Sequence, residues 1–163
     1  MSNLIDYSTI QQTIVSNSGQ RLVLTTSGQY YYWDNGTQNY SLVDISSFPP
    51  GSVLRGIDCD NAGNFYALIY SNISGQTGFY LTSWNSTSQI WAAPVLVQEA
   101  FSSGAYTAFS AINDNEVWLV NSDSSIQQYT WNATTQQFDL GYNSFFGAVE
   151  ITTGKGDGQQ FSF

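Results

Sequence analysis

Three tryptophans, each followed by Asp or Asn, are the residues of this chain whose type and spacing could do chemistry. The pairs are Trp33-Asp34, Trp84-Asn85 and Trp131-Asn132, separated by 51 and 47 residues. An indole offers a flat apolar face, and the adjacent carboxylate or amide offers hydrogen bonds. Such a pair can stack on the apolar side of a sugar ring and bond its hydroxyls. Repeats also reuse core residues, so the same indoles can serve as packing between units. Trp118, in a Val-Trp-Leu-Val run, reads as core, and Trp91 as an edge or interface residue.

Other chemistries lack their residues. There is no His, which excludes Ser-His-Asp, Cys-His and His-metal sites. The single cysteine, Cys59, stands between Asp58 and Asp60, which raise a thiol pKa, and reads as a small strand residue. The stretch TTGKGDG at 152–158 lacks the Ser or Thr of a phosphate loop and reads as a hairpin turn. The run from Asp58 to Asn64 resembles a calcium loop, but Ala62 and Ile69 occupy ligand positions, so a capped hairpin is the better reading. Asp58, Glu99, Glu116, Asp139 and Glu150 are the acids at strand-like positions, and no spacing selects a pair for glycoside hydrolysis. No catalytic residue, metal ligand or cofactor is assigned, and the chain is expected not to be an enzyme. Five Asn-x-Ser/Thr triplets, at Asn35, Asn39, Asn72, Asn85 and Asn132, are expected by chance in a chain so rich in these residues.

Charge narrows the partners. Of 163 residues, only Arg21, Arg55 and Lys155 are cationic, and the net charge is −9. Binding nucleic acid requires cations to neutralise phosphates, and anionic membranes require the same, so neither is expected. No apolar run approaches the ~20 residues of a membrane span. The N-terminus has no basic start followed by an apolar run, so a cytoplasmic or non-classically secreted protein is expected. Hydrophobic residues make up 42% of the chain and aromatics 16%, alongside abundant Ser, Thr, Asn, Gln and Gly. That is the composition of a β protein with many polar hairpins.

The elements that must position the tryptophans repeat in phase with them. Each Trp segment is preceded by a strand, a polar turn and a second strand: TIVSNSGQRLVLT, RGIDCDNAGNFYALIY and SAINDNEVWLVNS. Each is followed by a further β-like run. Four strands per unit are therefore expected, near 9–16, 21–26, 29–34 and 39–45; then 53–59, 64–71, 78–84 and 90–98; then 106–112, 116–121, 125–131 and 136–141. In the last unit Ile126 is out of phase with Tyr129 and Trp131, which predicts a bulge or an edge position. The units span about 9–46, 53–99 and 106–143, with a partial unit at 147–163, in a single all-β repeat domain of residues 1–163. Four-stranded units of this length predict a β-propeller-like fold with three blades and a half unit. Three blades do not close a ring, so either chains assemble into a homo-oligomer, two copies giving six blades, or this is a piece of a longer propeller; assembly is the leading expectation. The competing fold is an antiparallel β-sandwich or barrel.

Some of these segments are similar to known repeats. GIDCDNAGNFYALI resembles the inner hairpin of many propellers. NEVWLVNSDSSIQQYTWN resembles the tectonin repeat, and SIQQYTWN resembles the blade strand of fucose-binding propeller lectins. The resemblance implies a carbohydrate-binding module, multivalent through its repeats and through chain assembly, with glycans as partners. Trp33, Trp84 and Trp131 would be the stacking platforms, and Asp34, Asn85 and Asn132 their polar partners. The fucose-binding pattern needs an Arg at each sugar, whereas the third unit has none, which argues against fucose and against three equivalent sites. The alternative function is a non-catalytic structural or protein–protein interaction module that uses exposed strand edges and aromatics.

Overall fold

A computed structural model describes residues 5–15, 19, 21–34, 36–60, 62–85, 88, 90–100, 105–123, 125–145, 150–153 and 159–162. Three antiparallel sheets follow one another along the chain. The first holds β1 (Ile10–Val15), β2 (Arg21–Thr25), β3 (Tyr30–Asp34) and β4 (Asn39–Leu42). The second holds β5 (Val53–Cys59), β6 (Phe65–Ile73), β7 (Gln76–Asn85), β8 (Ile90–Trp91) and β9 (Val95–Glu99), with β8 and β9 both paired to β7. The third holds β10 (Tyr106–Asn113), β11 (Glu116–Asn121), β12 (Ser125–Asn132) and β13 (Gln137–Phe145). A hairpin of β14 (Glu150–Thr153) and β15 (Gln159–Ser162) comes last. Each sheet is a meander in sequence order, as its short polar turns dictate.

The sheets stack face to face in a row, as blades do. Their first strands touch in succession, β1 with β5, β5 with β10 and β10 with β14, which places the inner edge of the row. Between the first and second sheets Leu22, Tyr32, Ile57, Cys59, Ala67, Trp84 and Trp91 form one core. Between the second and third, Tyr66, Leu68, Phe79, Leu81, Val117, Leu119 and Tyr129 form another. A four-stranded sheet has two apolar faces and too little chain to fold over either. Stacking covers both, which is why a middle blade reads as hydrophobic on alternate and on consecutive positions. The β-propeller-like expectation is met, and the cores lie between separate sheets instead of inside one sandwich.

Two strands differ from expectation for identifiable reasons. The run expected at 90–98 divides into β8 and β9, because Ala92, Ala93 and Pro94 leave the ladder. Proline has no N–H to donate. The gap is held shut by the Ala92 amide donating to the Ser83 carbonyl (2.8 Å) and the Thr82 hydroxyl donating to the Ala92 carbonyl (2.7 Å). The irregularity expected in the 125–131 strand lies across the ladder instead. β12 pairs regularly with β11, and the extra residue is Gly141 of β13. Ile126 is out of phase because both faces of β12 are covered: it packs with Val120 on one face, while Tyr129 joins Val117 and Leu119 on the other.

Candidate functional site

The three Trp-Asp/Asn pairs occupy equivalent places, at the end of the third strand of each blade. Each indole lies directly across the ladder from an aromatic residue seven positions on. Trp33 faces Tyr40, Trp84 faces Trp91 and Trp131 faces Phe138. The rings meet edge to face, with centroids 5.1, 5.2 and 5.4 Å apart. Cross-strand aromatic pairs of this geometry stabilise a hairpin beyond the area they bury. The sequence already held this signal as a Trp-x6-aromatic spacing in every unit.

The following Asp or Asn closes the turn between the third and fourth strands. Asp34 Oδ1 accepts from the amides of Gly36 (2.8 Å) and Thr37 (3.4 Å). Asn85 Oδ1 accepts from the Ser88 amide (3.0 Å). Asn132 Oδ1 accepts from Thr134 (3.0 Å) and Thr135 (3.3 Å), while its Nδ2 donates to Asp139 (2.7 Å). A short polar side chain that bonds the backbone two residues on is what a tight turn selects. The Gly36 amide first, then Thr37, holds the Asp34 carboxyl below the usual carboxylate range.

Surroundings separate the three indoles. Trp84 is only 8% exposed and lies between the first two blades, in contact with Tyr32 and Trp91. Its Nε1–H is buried and finds no acceptor among the described residues. Trp33 is half-buried, with the Arg21 guanidinium carbon 5.9 Å from its ring centroid, within cation–π range. Trp131 is half-buried beside the core between the second and third blades. Of the remaining two, Trp91 joins blades: it packs on Phe48 and donates Nε1–H to the Asp44 carbonyl (2.9 Å). Trp118 is half-buried, lies tilted against the Tyr142 ring (centroids 6.0 Å apart) and donates Nε1–H to Glu116 (2.8 Å).

Trp131 also borders a cleft of about 230 Å³ between the second and third blades. Tyr66, Ser83, Ala93, Asp114 and Asn115 line it with Trp131. The hairpin turns position them, because Asn113 accepts from the Asn115 amide (2.8 Å) and the Trp131 amide donates to the Asn115 carbonyl (2.7 Å). Asn132 is not part of this lining. Sequence reasoning missed Tyr66, which only blade stacking brings beside Trp131, and Asp114 and Asn115, which the β11–β12 ladder carries there from a turn of the same blade.

Nearer the inner edge, the Asp58 carboxylate bridges blades, with Oδ2 accepting from the Ser110 hydroxyl (3.1 Å) and the Ala111 amide (3.0 Å). Burial pushes its pKa up to about 6, against the lowering effect of those bonds. Asp60 closes its own hairpin, accepting from the Asn64 amide (2.9 Å), Asn64 Nδ2 (2.8 Å) and the Tyr66 hydroxyl (3.1 Å). Gly63, at φ +92°, allows that turn. Cys59 is buried between them, and burial with the two carboxylates pushes its thiol up to about 12. Among the described residues, no three Cys, Asp or Glu side chains cluster as metal ligands would.

No protein-family model matches the chain, and no curated protein matches it. Solved structures do share its architecture. The WD40 repeats of RRP9 align with a TM-score of 0.53 at 10% identity, over 88% of this chain and 41% of that one. U3-55K aligns at 0.52 and 10% identity, over 88% and 42%. Porphyromonas gingivalis dipeptidyl peptidase 4 aligns at 0.55 and 7% identity, over 87% and 26%. The chain thus spans less than half the length of these neighbours. At such low identity the likeness is one of fold, and the fold is a row of β-propeller blades.

Proposed function

We propose that this chain is a non-catalytic interaction module that associates, in the first instance with further copies of itself, along the outer rim of its blades. One observation carries the reading. Seven large apolar side chains are exposed among the described residues, and six of them, Leu42, Ile45, Ile90, Val95, Leu140 and Tyr142, lie on the outermost strands or just after β4. Proteins protect such edges with Lys, Pro or a covering segment. Here β4, β8, β9 and β13 carry no Lys or Arg. An edge strand that pairs antiparallel with its own copy across a twofold axis satisfies its open amides and buries its apolar side chains together. The propeller likeness to WD40 repeats is compatible with an interaction role.

Light scattering tests this. The wild-type mass should rise above that of the monomer with concentration, and the double variant Leu140→Lys/Tyr142→Lys should stay monomeric with an unchanged circular dichroism spectrum. A wild-type protein that is monomeric at every concentration contradicts the reading.

Carbohydrate binding remains the second reading, on one observation: Trp131 borders a cleft that also holds Ser83, Asp114 and Asn115. Of the six residues expected from sequence, Trp131 is the one that borders this cleft, Trp84 being buried between the first two blades, and a glycan array with no saturable binder removes the reading.

A further inference from the structure

We propose that the cleft between the second and third blades receives a single Lys or Arg side chain from an exposed segment of a partner protein. The proposal rests on the interaction-module reading and gives that module a specific pocket away from its self-associating rim.

Size comes first. At about 230 Å³ the cleft falls below the ~300–1,000 Å³ of pockets that enclose a drug-sized ligand or cofactor. One long side chain suits it better than an oligosaccharide. Its walls come next. Trp131 and Phe138 supply aromatic surface, and Leu81, Ala93 and Val95 supply apolar surface. A long aliphatic stem packs on such walls while its charged head reaches outward.

Charge selects the head group. Asp114 lines the cleft, and no Lys or Arg does. Asp60 stands directly behind, accepting the Tyr66 hydroxyl bond (3.1 Å). Burial first, then the charges of Asp60 and Asp114, raise the Tyr66 phenol well above its ordinary value, so the field of both carboxylates reaches this wall. A cation beside the Trp131 indole and the Asp114 carboxylate gains from both. The whole chain, at −9 with three cations, favours a basic partner in the same sense.

The hydroxyl-binding alternative has less to work with here. Asn132, the polar partner expected from sequence, is bonded to Thr134, Thr135 and Asp139 and lies outside the lining.

Calorimetric titration with the capped peptides acetyl-Gly-Arg-Gly-amide and acetyl-Gly-Gln-Gly-amide tests the proposal, with a panel of methyl glycosides as the third arm. The expected result is saturable binding of the Arg peptide alone. That binding should fall at least five-fold in Asp114→Asn, whose side chain keeps the shape of the turn, and should weaken with added salt. No binding of the Arg peptide, equal binding by Asp114→Asn, or saturable glycoside binding in place of the peptide would overturn it. Rim association is read separately by solution mass. A failed titration with concentration-dependent mass intact therefore removes the cleft proposal and leaves the interaction module standing.

Discussion

Trp84, Asn132 and Asp58 each do a different job, and each job predicts a measurable consequence. Trp84 fills the space between the first two blades at 8% exposure. Truncation to Ala should cost about 3–5 kcal/mol, as large core deletions do. Chemical denaturation reads this, and a loss near zero would mean the indole is not packing. Asn132→Ala removes two turn-closing bonds on a hairpin surface and should cost about 1 kcal/mol.

Asp58 makes stability depend on pH, with an unusual sign for a carboxylate. Its folded pKa, about 6, stands above the 3.8 of an ordinary aspartate. The folded state therefore holds the proton more tightly. The stability this contributes is full below pH 3.8 and lost as pH rises to about 6, worth at most about 3 kcal/mol and less with solvent screening. Asp34 and Asp123, with lowered pKa, act in the opposite direction, losing their contribution as pH falls. They are common to wild type and variant and cancel in a comparison. The stability of Asp58→Asn relative to wild type should thus rise between about pH 4 and 6.5 in urea titrations. Parallel curves would show that burial between the blades does not raise the Asp58 pKa.

Two glycines test strand packing at the scale of elements. A Cβ on Gly78 would collide with the Gln98 carbonyl and the Glu99 Cα of β9, both backbone. Gly78→Ala should cost about 1–3 kcal/mol through overpacking. A Cβ on Gly141, in the β13 bulge, meets only Gln128 and Thr130 atoms at 3.5–3.8 Å. Gly141→Ala should be nearly neutral. Equal costs would mean the β7–β9 and β12–β13 strand pairs are not arranged as described.

Most strands were legible in the sequence because local turn chemistry brackets them. Asn, Asp and Gly clusters set the boundaries of β5 and β11 at the expected residues, 53–59 and 116–121. What the sequence hid is non-local. The division at Ala92–Pro94 was signalled locally by Pro94, which cannot donate to a ladder, but the Gly141 bulge was not, because it sits opposite the strand whose pattern revealed it. The cleft was hidden for the same reason. Tyr66 and Trp131 line one cleft only because one blade stacks on another, whereas Asp114 reaches it on the β10–β11 turn of Trp131's own blade.

For the molecule as a whole, charge and rim chemistry oppose each other. Copies at −9 repel at low ionic strength, while six apolar side chains on the outer strands or just after β4 favour contact. Screening lengths shrink to about 10 Å at 0.1 M salt. Self-association should therefore strengthen with salt, whereas a cation in the cleft should bind more weakly. The two interactions are separable on that axis alone.

Amide hydrogen exchange along β13, as the chain concentration is raised from micromolar to hundreds of micromolar, tests the rim most directly. The account predicts that the open-edge amides of β13 gain protection with concentration while β10, at the inner edge, does not change. Exchange in β13 that is independent of concentration would contradict it.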